Sequence, residues 1–61
     1  MHNGTHCRIT KHGRYWMRPC TVCDIVTTRG EETVYLCHVA DKLSGQVRVV
    51  PFFRDELAMV E

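Results

Sequence analysis

A chain of 61 residues with a formal net charge of +1 holds one domain, residues 1–61. Its core is marginal, because a chain this short hides only about 60% of the surface that its unfolded form exposes. No run approaches the roughly 20 apolar residues that cross a bilayer, and the start, MHNGTHCRITKHGRY, lacks the apolar centre of a signal peptide, so the expected setting is the reducing cytoplasm, away from membranes.

In chain order, HCRIT (residues 6–10) reads as a short strand and KHG as a turn in which Gly13 can take positive φ. RYWM (14–17) reads as the returning strand, interrupted by RPCTVC. DIVTT (24–28) has the β-branched content of a strand. After the Arg29–Gly30–Glu31 turn, ETVYLCHV (32–39) is the clearest strand of the chain. ADKLSG turns again, and QVRVVPFF (46–53) begins as a strand whose end Pro51 places at an edge. In RDELAMVE, Phe53, Leu57 and Val60 recur at helical spacing and predict a short C-terminal helix. The expected fold is a small, mostly β, zinc-stabilised domain: antiparallel hairpins around a CxxC knuckle, closed by that helix.

The zinc enters through the cysteines. Their pattern is C-x12-C-x2-C-x13-C. Folding the two hairpins about their turns sets Cys23 opposite Cys37 and Cys7 opposite Met17, and so carries Cys7 and Cys37 toward the RPCTVC segment. Cys7, Cys20, Cys23 and Cys37 would then hold one structural Zn2+ ion, four soft thiolates in a closed tetrahedron. Arg18 would add positive charge near them. His6 adjoins Cys7 and His38 adjoins Cys37, so either replaces its neighbour if the register slips by one residue. Four cysteines and three cysteines with one histidine both remain open. Against the metal stand buried unlinked thiols, a secreted disulfide framework and a redox CxxC. The last lacks the helix that such a motif normally precedes.

The CxxC turn between extended segments resembles the knuckle of the zinc-ribbon group over about residues 15–27. Cys20 and Cys23 match one knuckle; the second CxxC of a ribbon is absent, and Cys7 with Cys37 would have to supply its ligands. Treble-clef zinc proteins have a similar first knuckle.

Two surfaces suggest binding. On the first hairpin, strand alternation puts Cys7, Ile9, Tyr15 and Met17 on one face, and Arg8, Thr10, Arg14, Trp16 and Arg18 on the other. Arg8, Arg14 and Arg18 could contact phosphates while Trp16 stacks on an unpaired base of RNA or DNA, or the same side chains could anchor a protein partner. The bland alternative is Trp16 capping the core under arginine stems. On the C-terminal segment, Phe52, Phe53 and Leu57 offer apolar surface to a partner or a homodimer, or simply close the core. On the central strand, Val34, Leu36 and His38 share one face, and Tyr35, Cys37 and Val39 the other. Val47 and Val49 are expected inside, Arg48 and Val50 outside.

Nothing points to an enzyme. Asp24, His38 and Asp41 lack any geometry that the sequence specifies, and no H-E-x-x-H or phosphate-binding loop occurs. The expected function is therefore non-enzymatic: a zinc-stabilised adaptor or regulatory protein that binds a protein partner and modulates a transcription or RNA-handling assembly. A small nucleic-acid-binding module is the alternative, and a zinc enzyme a remote one.

Overall fold

The computed structural model describes residues 1–30 and 32–60. Glu31, the third residue of the expected second turn, and Glu61 lie outside the described residues. Among the described residues no helix is long and apolar enough to cross a membrane.

The β-branched segments become strands: β1 (His6–Ile9), β2 (Pro19–Thr27), β3 (Thr33–Ala40) and β4 (Val47–Phe53), followed by a 3-10 turn (Arg54–Glu56) and β5 (Leu57–Met59). They form one antiparallel sheet in the order β4-β3-β2-β1-β5. A single sheet has no second layer to cover it, yet all five strands send side chains into one core. That core is Cys7, Ile9, Cys20, Val22, Cys37, Val39, Phe52 and Leu57. The sheet must therefore curl until its concave face closes on itself, as strand twist favours. Alternation decides which residues enter. In β1, Cys7 and Ile9 are buried while His6 and Arg8 are exposed; in β3, Cys37 and Val39 are buried while His38 and Ala40 are exposed.

Four expectations about the fold need correction. First, the CxxC segment is no knuckle. Cys20 and Cys23 lie within β2, which runs unbroken from Pro19 to Thr27. Thr21, Val22, Ile25 and Val26 are β-branched and suit a ladder better than a turn. The spare residue is absorbed as a β-bulge: Val22 pairs with Cys37 and Asp24 with Leu36, so Cys23 is left over between them.

Second, RYWM is not a strand. Residues 14–17 turn, and Met17 sits at φ 62 with its N–H donated to the Ile9 carbonyl at 2.8 Å. Cys7 consequently pairs with Cys20 rather than facing Met17. Third, the C-terminal helix is absent among the described residues, where the only helical ones after β4 are the three of the 3-10 turn. An eight-residue helix is marginal in water. Here Leu57 gains more by entering the core, with β5 laid against β1 in the register Ile9↔Leu57 and Cys7↔Met59. Fourth, β4 is phased the other way. Val47 and Val49 are exposed and Val50 packs on the core. Phe52, paired with Tyr35, sets this phase, and the period of two carries it along the strand.

Asp41 joins two ends of this sheet. It lies just beyond β3 and is almost wholly buried. Its Oδ1 accepts the N–H groups of Leu43 at 2.8 Å and Ser44 at 3.3 Å, an Asx-type turn completed by Gly45 at φ 74. Its Oδ2 accepts from the Arg14 guanidinium of the β1–β2 loop and lies 3.3 Å from Arg48 Nε of β4. These bonds hold its carboxyl below the usual aspartate value, the Leu43 N–H contributing most.

Candidate functional site

The four cysteines do come near one another, but not as ligands. Cys7 and Cys20 are Cα partners on neighbouring strands, and Cys37 lies close enough for its thiol and theirs to act on one another. All three point into the core and expose at most 5% of their surface. Burial raises the pKa of Cys7 and Cys20; burial and then the neighbouring thiols push Cys37 up to about 12. At neutral pH the trio is therefore protonated and packs as small apolar side chains.

The fourth cysteine turns elsewhere. The bulge leaves Cys23 half-buried, and its thiol donates to the Leu36 carbonyl at 3.2 Å. The alternative ligands are also on the wrong side. His6 and His38 point out of the convex face, opposite Cys7 and Cys37, and the His6 ring lies 3.1 Å from Thr21 Oγ1. Among the described residues no group of three or more His, Cys, Asp or Glu side chains is placed to hold a metal ion. The structural Zn2+ site, the zinc-ribbon-like knuckle and the zinc-stabilised adaptor built on them are corrected accordingly. What takes their place is a thiol-containing apolar core.

The basic–aromatic surface is dispersed as well. Arg8 stands on the outer face of β1, between Pro19 and Ala58. Arg14 is drawn to Asp41, and Arg18 donates to the Ala40 carbonyl at 3.4 Å. Trp16 is exposed, but one face of its ring is stacked on His12, with centroids 5.1 Å apart and planes 15° from parallel. The expected single face required RYWM to be a strand, and it is a turn. Asp24, His38 and Asp41 are no constellation either: Asp24 Oδ1 accepts the Ile25 N–H at 2.9 Å, and Asp41 is committed to its turn. Of the C-terminal trio, Phe52 and Leu57 are core residues and only Phe53 is exposed.

The surface that the structure does assemble is the convex face of β2, β3 and β4. Register places Val26, Val34 and Phe53 in one row across the three strands. Asp24, Leu36 and Pro51 form the next row, and Thr21, His38 and Val49 the one after. The result is an apolar stripe of Val26, Val34, Phe53, Leu36, Pro51 and Val49, with Val26, Val49 and Phe53 exposed; the exposed Asp24 bounds it on β2 and the exposed His38 on β3.

No family model, curated protein or solved structure matches this chain.

At the edge of the stripe, two adjoining cavities of about 250 and 240 Å³ share Lys11, Pro51 and Phe52. They form a shallow groove between the β1–β2 loop and β4. The first reaches Tyr15; the second reaches Val34 and Phe53 and is flanked by the Lys11–Glu56 ion pair at 3.4 Å. Sequence reading placed Val34 and Leu36 together on one face of β3. It missed their junction with Val26 and Phe53, because the bulge at Cys23 sets the β2 phase and Phe52 the β4 phase.

Proposed function

We propose that this protein is a recognition module that binds a protein partner through the convex face of β2, β3 and β4. The observation that carries the reading is the row Val26–Val34–Phe53, which opens into the groove beside Pro51. Scattered exposed apolar residues are ordinary on a protein surface; a continuous patch next to a concavity is a mark of recognition sites. A partner would lay apolar side chains on the stripe and seat an anchor in the groove. A reducing compartment suits the module, since its four cysteines are free.

Affinity capture from the native cell, with and without nuclease, tests this. The expected result is a protein partner that survives nuclease and is lost, or bound about tenfold more weakly or worse, with Val26→Glu. Val26 is exposed on the stripe and away from the sheet edge, so the variant leaves the core alone. Capture of nucleic acid alone, unchanged by Val26→Glu, would overturn the reading.

A further inference from the structure

The free edge of β4 carries a second surface, defined by its backbone. The Asp41 N–H donates to the Gln46 carbonyl at 2.7 Å. In an antiparallel ladder such bonding alternates, so residues 46, 48, 50 and 52 turn their backbone groups toward β3, and 47, 49, 51 and 53 turn theirs to the open edge. Phe53 agrees: its N–H goes to Glu56 Oε1 at 2.8 Å, not into the ladder. Pro51 has no N–H. One half of the edge is thus blocked, by Pro51 and by the capped Phe53, which is how natural sheets blunt their edges. The other half, Val47 to Val49, is open.

We propose that this open half pairs with the same segment of a second copy, antiparallel about a twofold axis through Arg48. In that register Val47 lies opposite Val49 of the second copy, and Val49 opposite Val47. Each copy uses both of its free outward N–H groups and the two matching carbonyls. The donor gap at Pro51 falls opposite Gly45, where the second chain has already turned, so it interrupts nothing. Shifting the axis to Val49 would set Val47 against Pro51 and leave a carbonyl unmatched. A longer foreign strand would meet Pro51 and the capped Phe53 directly.

The valine side chains support the same axis. Val47 of each copy meets Val49 of the other on the outer face of the joined sheet, and both are exposed. The two Arg48 side chains become neighbours, like charges that weaken the pairing, since Asp41, 3.3 Å from Arg48, also serves Arg14. Four valines and four backbone hydrogen bonds bury far less than the ~1,200 Å² of stable interfaces, so the dimer dissociates on dilution. The pairing needs no partner protein; with the convex stripe it shares Val49.

Sedimentation of the isolated chain across a dilution series tests the proposal. The expected mass rises from one chain toward two with concentration. Val49→Pro removes only an outward N–H, so it keeps the ladder to β3 and raises the dimer dissociation constant by about tenfold or more; Val47→Glu provides a second variant that leaves the backbone intact. Mild oxidation with glutathione disulfide, which takes two electrons and two protons from a thiol pair, is expected to link Arg48→Cys chains to one another, but not wild-type or Val50→Cys chains. A mass of one chain at every concentration, undiminished association of both edge variants, or linking through Val50→Cys as ready as through Arg48→Cys would overturn it.

Discussion

Asp41→Ala is expected to lower the unfolding temperature by roughly 10 °C or more, a large shift even for a domain of this size. The carboxylate ties three segments together. Its loss leaves the Leu43 and Ser44 N–H groups without an acceptor, frees the Arg14 loop and removes the partner of Arg48. Asp41→Asn is expected to fall between the two, since an amide oxygen still serves the turn but not the guanidinium charges. The effect carries a pH signature. The folded pKa lies below the ordinary aspartate value, so the stabilisation is fully present above about pH 4 and is lost as pH falls through the folded pKa. Thermal unfolding from neutral to acid pH checks both parts: wild type loses stability over that acid range, and Asp41→Asn loses less.

Cys37→Ser is expected to cost about 2 kcal/mol, or roughly 10 °C in Tm, while Cys37→Ala costs about half as much. The order of the two decides what the sulfur does. Cys37 is fully buried, with its thiol 3.6 Å from the Tyr35 carbonyl. A serine hydroxyl is carried on a shorter bond, reaches no acceptor well and pays for desolvation. Alanine loses only packing. A ligand would behave otherwise, both changes removing it equally. The raised thiol pKa values of Cys7, Cys20 and Cys37 add an alkaline limb. Unfolding lets these thiols ionise at their ordinary value, so their stabilisation is present below about pH 8.5 and falls as pH rises beyond it. Thermal unfolding of the two variants beside wild type, at neutral and alkaline pH, reads both effects.

What was legible in the sequence was the alternation of single strands. Cys7 and Ile9 against Arg8, and Tyr35, Cys37 and Val39 against Leu36 and His38, fall on the faces that strand periodicity assigns. What was not legible was register. The cysteine geometry depended on Cys23 facing Cys37, whereas Val22 does. A slip of one residue reverses the face of a side chain, and nothing local in PCTVCDIVT marks where the bulge falls.

Non-local pairing was hidden for a related reason. Leu57 joins Ile9 from the far end of the chain, while its neighbours alone give a helical repeat. Phe53, Leu57 and Val60 share that repeat by coincidence of spacing; only the demand of the β1 edge and the core for cover makes residues 57–59 extended. The Arg–Trp surface failed through one residue class. RYWM has strand-like composition, yet Arg14 finds Asp41 from a turn and Met17 takes positive φ to let the chain re-enter as β2. The stripe of Val26, Val34 and Phe53 needed all three registers at once. Its members were readable as outward or apolar singly, never as neighbours.

The account rests on a core in which the cysteines pack rather than ligate. Its most direct test is thermal unfolding of the reduced chain stripped with a strong zinc chelator, beside the same chain given one equivalent of Zn2+. The expected result is a cooperative transition at the same temperature in both, with the far-ultraviolet spectrum of the sheet unchanged. Loss of the folded spectrum on chelation, restored by zinc, would contradict it.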